Sequence, residues 1–361
     1  MAMTPELKKI LQTARRANAS DIHIIAGMPP IFRINGEILL AEVPPLRTED
    51  TYRLCYQFMN DEQQKVFQQD WQLCCSHFED QLGRFRVSIY LHAGNPEMSI
   101  RPISMNIRTR EELRLPVTIE ELTRLPNGLV LITGPTGSGK TTTMNYMIDL
   151  INSERRCKVI TIEDPVEYVH TYKRAIIVQQ ELYSDVKSFS RALVHVLRQN
   201  PDVICIGEMR DFETTATALT AAETGHLVIA TCHTPNTMQT VERIVSIFPP
   251  DQQNQVVTQL ANSLRGIIAQ RLVPGANRKE RLLATEVLVM NMAARSLIRE
   301  RDFHKLFSLI QTSQRLGMHT MDESLLKLYD AGDITYDTAL SNAQDAQSLR
   351  SRIHENPTSV G

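Results

Sequence analysis

Four short runs constrain this chain more than any other feature: GLVLIT at 128–133, KVITI at 158–162, VICIG at 203–207 and HLVIAT at 226–231. None of them alternates polar with apolar residues. A strand that is apolar on both faces must be covered on both faces, and a parallel sheet with helices on each side does that. The stretches between the runs read as those helices. The expectation is an α/β fold with a parallel-dominated sheet. At 361 residues the chain has room for roughly two domains, each with its own core.

The amino-terminal part has a different rhythm. After a polar amphipathic first helix, IFRINGEILL (Ile31 to Leu40) sets Asn35-Gly36 between short β-type runs, a hairpin signal. Residues from about 49 to 69 read as helical. GRFRVSIYL then alternates, with Phe85, Val87, Ile89 and Leu91 on one face and Arg84, Arg86, Ser88 and Tyr90 on the other. Gly94-Asn95-Pro96 is expected to turn the chain, and MSIRPI to return as a strand carrying Arg101. This predicts a small α+β domain over residues 1–104, a polar linker over 105–116 and the α/β core over 117–361. From about Gln253 onward the core is expected to be mostly helical, with LLKLYDAGD ending a helix at Gly332. The tail ENPTSVG reads as frayed.

Composition excludes some functions. Lys and Arg number 39 against 41 Asp and Glu, a net charge of −2, so a nucleic-acid-coating role is disfavoured and no nucleic-acid partner is expected. No run approaches the roughly 20 apolar residues of a membrane span, and the first residues lack the apolar region of a signal peptide. A cytoplasmic protein is expected, with any membrane association made through partners. The six cysteines show no CxxC pairing, and Cys157 and Cys205 read as small buried hydrophobes in a reduced protein.

The chemistry concentrates where GLVLIT ends. Gly134-Pro135-Thr136-Gly137-Ser138-Gly139-Lys140-Thr141-Thr142 fits G-x-x-x-x-G-K-[ST] between a strand and a helix-compatible segment. Glycines let successive backbone N–H groups face phosphate oxygens at a helix N-terminus. Lys140 supplies charge to the β- and γ-phosphates, and the Thr141 hydroxyl can ligate a magnesium ion. ATP and magnesium are the cofactors expected.

Such a loop needs a second strand that delivers an acid to the metal. Glu208, at the end of DVICIGE, is the candidate, acting directly or through a metal-bound water; a surface acid at a strand end is the alternative. With that duty filled, the acids after Ile162 are open to another: Glu163 as the group that activates a water, Asp164 in support. Glu167 reads as solvated surface. His226 and His233 flank the fourth run, either as satisfied core residues or as neighbours of a γ-phosphate.

Taken together, GPTGSGKTT, TIEDPVEYVH, GEMRD, AAETGHLVIATCHT and IAQRL resemble the secretion ATPases of type II secretion and type IV pili, and among them the pilus retraction ATPases. The resemblance runs over nearly the whole chain. It implies a RecA-like P-loop core with C-terminal helices behind a PAS-like N-terminal domain, in a homo-hexamer that holds ATP between the domains. It implies Walker A roles for Lys140 and Thr141, the catalytic carboxylate for Glu163, an atypical Walker B acid in Glu208 and a His box containing His226 and His233. Arg84 and Arg101 match arginines that the family sends toward the phosphates. The implied work is pilus retraction on an inner-membrane platform protein. No cysteine follows Cys232, so the four-cysteine zinc insert of assembly-type relatives is absent from this sequence. The retraction signature AIRNLIRE stands here as AARSLIRE, with Ala294 and Ser296 in place of Ile and Asn, which keeps an accessory or assembly-type ATPase as the alternative and a nucleic-acid translocase behind it.

Overall fold

The computed structural model describes residues 4–34, 36–103, 106–277 and 280–355. Asn35, residue 104 at the end of the expected first domain, residue 105 of the expected linker, and the tail from 356 lie outside them. By its internal contacts the chain divides into two units. The first runs to residue 107 and takes in 162–171 and 179–192; the second holds 108–161, 172–178 and the chain from 193 on.

In the first unit, alternation builds a one-faced sheet. Strands β1 (Asp21–Ile24), β2 (Ile31–Ile34), β3 (Glu37–Leu40), β4 (Gln72–Glu79), β5 (Gly83–His92) and β6 (Asn95–Pro102) form an antiparallel sheet of order β3-β2-β1-β6-β5-β4. Phe85, Val87 and Ile89 are fully buried against Leu7 and Leu11 of α1 (Pro5–Arg16) and Leu54 of α2 (Thr48–Tyr56). Leu91 departs from its expected face and is 37% exposed, because it pairs with Pro96 where the β5–β6 hairpin runs out toward its turn. That turn is Ala93-Gly94, both at positive φ, one residue earlier than the sequence suggested. The expected helix at 49–69 is two helices, α2 and α3 (Asp61–Asp70). Asn60 caps the second by accepting from Gln63 N–H at 2.8 Å, while Gln63 returns a bond to Asn60 N–H. Helix α3 ends at Trp71, left-handed and 66% exposed.

The second unit carries α4 (Arg110–Leu113), α5 (Thr118–Thr123), α6 (Lys140–Glu154), α7 (Phe189–Val196), α8 (Phe212–Glu223), α9 (Thr237–Ser246) and α10 (Gln253–Ser263) around a sheet, α7 running on from the first unit. Its strands are β7 (Gly128–Thr133), β8 (Lys158–Glu163), β9 (Ile176–Glu181), β10 (Val203–Ile206), β11 (Leu227–Cys232), β12 (Leu264–Pro274) and β13 (Arg281–Val289), in the order β13-β12-β7-β11-β10-β8-β9, with the last residues of β8 and β9 counted in the first unit. All four apolar runs are strands. β7 pairs in parallel with β11 and β12, and β11 with β10. Asp202, just before β10, donates its N–H to the Lys158 carbonyl at 2.9 Å, so β8 starts at the same sheet edge as β10. The parallel-dominated α/β core is the one expected.

The expectation of helix from Gln253 onward holds only for α10. LRGIIAQRLVP and RLLATEVLV instead form the antiparallel pair β12 and β13, and β12 lies along β7. Gly266 makes that possible, since a Cβ there would meet Leu122 Cδ1 at 2.7 Å and the Leu288 carbonyl at 3.0 Å. The expected linker contains α4, capped by the Thr109 hydroxyl, which accepts from Glu112 N–H. Helices α11 (Met292–Arg299), α12 (Lys305–Thr312), α13 (Met321–Asp330), α14 (Tyr336–Asn342) and α15 (Ala346–Glu355) close the unit, and Gly332 at φ +73 ends the α13 region as expected. No helix among the described residues is long and apolar enough to cross a membrane.

Ile229 of β11 pairs with Cys205 on one side and Val130 on the other and is fully buried. Ile229→Ala should remove about 2–5 kcal/mol of stability, read as an earlier midpoint in denaturant unfolding followed by circular dichroism.

Candidate active site

The phosphate loop of the second unit is shaped by what cannot fit in it. β7 ends at Thr133, and Gly134 follows at φ +144; a Cβ there would stand 2.3 Å from the Gln270 carbonyl oxygen and 2.7 Å from Ser138 Oγ. Gly137 and Gly139 also take positive φ, which turns the chain into α6 at Lys140. Pro135, Thr136 and Gly137 form an exposed tip, and Thr141 and Thr142 are half-buried on the first turn of the helix. Lys140, 8% exposed, donates from Nζ to the Gly134 carbonyl at 2.7 Å and the Pro135 carbonyl at 3.0 Å. Burial pulls its ammonium below the usual lysine range, while the charge of Glu208 works against that pull. Ser138 Oγ is buried with no hydrogen-bond partner among the described residues.

The neighbouring strands supply the acid. Glu208 lies two residues past β10 and His233 one residue past β11, and parallel register brings them together: His233 Nε2 is 2.7 Å from Glu208 Oε1. Arg210 pairs with the same Glu208 oxygen. Open N–H groups at a helix start, a lysine, the Thr141 hydroxyl and one carboxylate fit a nucleotide with magnesium. Among the described residues no cluster of three or more His, Cys, Asp or Glu could hold a metal.

His226 is a correction. It precedes β11, its carbonyl accepts from Gly128 N–H at 3.0 Å, and its ring Nδ1 faces the Ala221 carbonyl. It therefore lies at the amino edge of the sheet, a strand length of roughly 16–20 Å from the phosphate loop. Only His233 is at the site.

In the first unit the acids after Ile162 have separate partners. Glu163, the last residue of β8, is 2% exposed and accepts from Gln179 Nε2 at 3.1 Å. Gln179 also donates to the Tyr168 carbonyl and accepts from His170 N–H, so it fixes the turn that follows Glu163. Glu167 is half-buried and meets Arg86 at 3.4 Å, which corrects its reading as solvated surface. Arg84 donates to the Val166 carbonyl at 2.8 Å and to Glu181 at 3.1 Å, with Ser76 joining the same group. Arg101 is forked onto Asp21 at 2.9 and 2.7 Å. Sequence reasoning passed over Glu181, Gln179, Arg210 and Gln270. The last two sat inside the quoted motifs GEMRD and IAQRL.

The family described as "Type II/IV secretion system protein" matches residues 2–332. The chain belongs to that family. Among members, the "Type IV pilus retractation ATPase PilT" of Pseudomonas aeruginosa is 38% identical over 339 residues, 94% of this chain and 98% of that protein. The "Type IV pilus ATPase PilU" of the same organism is 40% identical over 348 residues, covering 96% and 91%. A solved structure titled "Crystal Structure of the Pilus Retraction Motor PilT and Bound ADP" superposes with a TM-score of 0.87 at 43% identity, covering 95% of this chain and 98% of that one.

Gly134→Ala should weaken binding of a fluorescent ADP analogue at least tenfold, since the new methyl has the Gln270 carbonyl in its place. Burial pushes the Glu167 carboxyl above the usual range, and Arg86 and Arg101 oppose it. A raised carboxyl destabilises the fold above its folded pKa, and the penalty fades as pH falls toward the ordinary carboxylate value near ~4.3. Glu167→Gln should therefore raise the melting temperature at pH 7–8, with the gain vanishing near pH 4.

Proposed function

We propose that this chain is an ATP-hydrolysing motor for type IV pilus retraction, working as a homo-hexamer at the cytoplasmic face of the inner membrane on a platform protein there. The observation that carries the reading is the phosphate loop with Lys140, Glu208 and His233 gathered at one sheet edge. Near full-length similarity to a protein named a pilus retraction ATPase gives that site its context.

The roles follow from the side chains. Loop N–H groups and Lys140 hold the phosphates. Thr141 and Glu208, the latter directly or through water, hold a magnesium ion, which when bound neutralises charge on the phosphate oxygens. Glu163 orients and deprotonates the attacking water; it is buried at the end of β8, where the Gln179 amide donates to it and orients it. His233 holds Glu208 through Oε1, the oxygen that Arg210 also meets. Arg84 and Arg101 supply fixed positive charge to the phosphates, exchanging Glu181 and Asp21 for phosphate oxygens.

A second reading has one observation behind it. In AARSLIRE, Ser296 binds Glu300 at 2.6 Å and the small Ala294 is buried, where the retraction signature has Asn and Ile. Together with the similarity to the protein named PilU, this favours an accessory ATPase of the same apparatus. Deleting the gene in its host separates the two: loss of retraction supports the motor, and retraction persisting at reduced force supports the accessory.

Purified protein should release phosphate from ATP only with magnesium present, run as a hexamer by size, and show no stimulation by DNA. Glu163→Gln should lower kcat on the order of 100-fold or more while binding nucleotide within a few-fold of the wild-type affinity. Hydrolysis at the wild-type rate by that variant would remove Glu163 from the base role.

A further inference from the structure

We infer that Glu286 is a positioning residue for His233, holding the loop that carries the imidazole in register with Glu208. The inference rests on the role proposed above for His233. Glu286 lies on β13, outside every sequence motif that pointed to the site.

The sheet register places it. Cys232 pairs with Thr133, Thr133 with Ala269, and Ala269 with Glu286, a row across four strands at the phosphate edge. Partners in such a row point to the same face. Helix α9 lies over that face and is fastened to the row at two points, one on either side of the small Ala269. At one end Thr133 Oγ1 meets Thr234 Oγ1 at 2.8 Å, and Thr234 meets Thr240 of α9 at 2.7 Å. At the other end Glu286 Oε1 accepts from Thr237 N–H at 2.8 Å and from Thr237 Oγ1 at 2.7 Å. Thr237 and Thr240 are three residues apart, so they share one helix face, and both are buried.

Glu286 is 2% exposed and forms no ion pair among the described residues. Burying a carboxylate in this way is costly unless its lone pairs are filled. Here the first N–H of α9 and the helix dipole take the place of a cation, and Gln344 Nε2 donates to Oε2 at 2.8 Å. Asn236 caps α9 locally through Gln239 N–H at 2.8 Å, so the helix would form without Glu286. What Glu286 adds is the location of the helix start on the sheet. Only residues 233–236 span from Cys232, fixed in β11, to Thr237. With both ends fixed, the His233 ring is held at 2.7 Å from Glu208.

The test uses the full chain. Glu286→Ala should lower kcat for ATP about tenfold with KM within twofold, while Glu286→Gln, whose carbonyl can still accept from Thr237, should stay within threefold of wild type. In a His233→Ala background, Glu286→Ala should cost less than twofold. A tenfold cost in that background, or wild-type kcat for Glu286→Ala, would overturn the proposal. If Glu286→Ala does not fold, Thr237→Val serves: about threefold lower kcat at an unchanged melting temperature supports the role, and an unchanged kcat opposes it. A second readout needs no turnover. Carbethoxylation of His233 by diethyl pyrocarbonate, followed by mass spectrometry, should speed up severalfold in Glu286→Ala while His226 is unchanged. An unchanged His233 rate counts against the proposal even if the wild type proves not to hydrolyse ATP, a result that would instead sink the motor reading.

Discussion

At Gly134 the backbone leaving β7 runs so close to β12 that the Gln270 carbonyl occupies the volume a methyl group would need. That approach lets the phosphate loop fold back over the sheet edge, and Lys140 Nζ then reaches the Gly134 and Pro135 carbonyls. Gln270 contributes twice, since its side-chain amide donates to Thr143 Oγ1 at 2.7 Å inside α6. The strand after the catalytic elements thus clamps both the loop and the helix that follows it. A β12 formed late in the chain is a condition for a site formed early in it.

Buried acids show three different solutions to one electrostatic problem. Glu181 is neutralised by a guanidinium, Arg84, with the Ser76 hydroxyl beside it. Glu163 accepts from the side-chain amide of Gln179 at 3.1 Å. Glu286 has a helix N-terminus. The third arrangement suits a group that fixes geometry.

How much of this was legible in the sequence depended on whether one side chain or a pairing decided the outcome. The four apolar runs declared β7, β8, β10 and β11, since a strand buried on both faces has few other readings. The phosphate loop was legible because Gly and Lys at fixed spacing admit one geometry. β12 and β13 were not, because LRGIIAQRLVP is apolar enough for a buried helix and only its pairing along β7 decides otherwise. His226 misled because two histidines flank one strand, and a strand separates its ends by its own length. Glu167 looked like surface because Arg86, its partner, lies 81 residues away in sequence. Arg84 was singled out as a phosphate ligand, yet Glu181, on a strand the sequence did not announce, holds it. Glu286 carried no signal: a single acid in RLLATEVLV becomes informative only when the register sets it under the start of α9.

The chain has a single tryptophan, and it ends α3 in the first unit, exposed and left-handed beside the Leu91 N–H that its carbonyl accepts. Its emission is therefore a local gauge of that corner of the antiparallel sheet. The phosphate loop, Glu208, His233 and the parallel strands are all optically silent in that channel. A nucleotide titration or a melt followed by intrinsic tryptophan fluorescence would report on the first unit, whereas the phosphate loop lies in the second. A tryptophan introduced on the second unit's surface would give each unit its own signal.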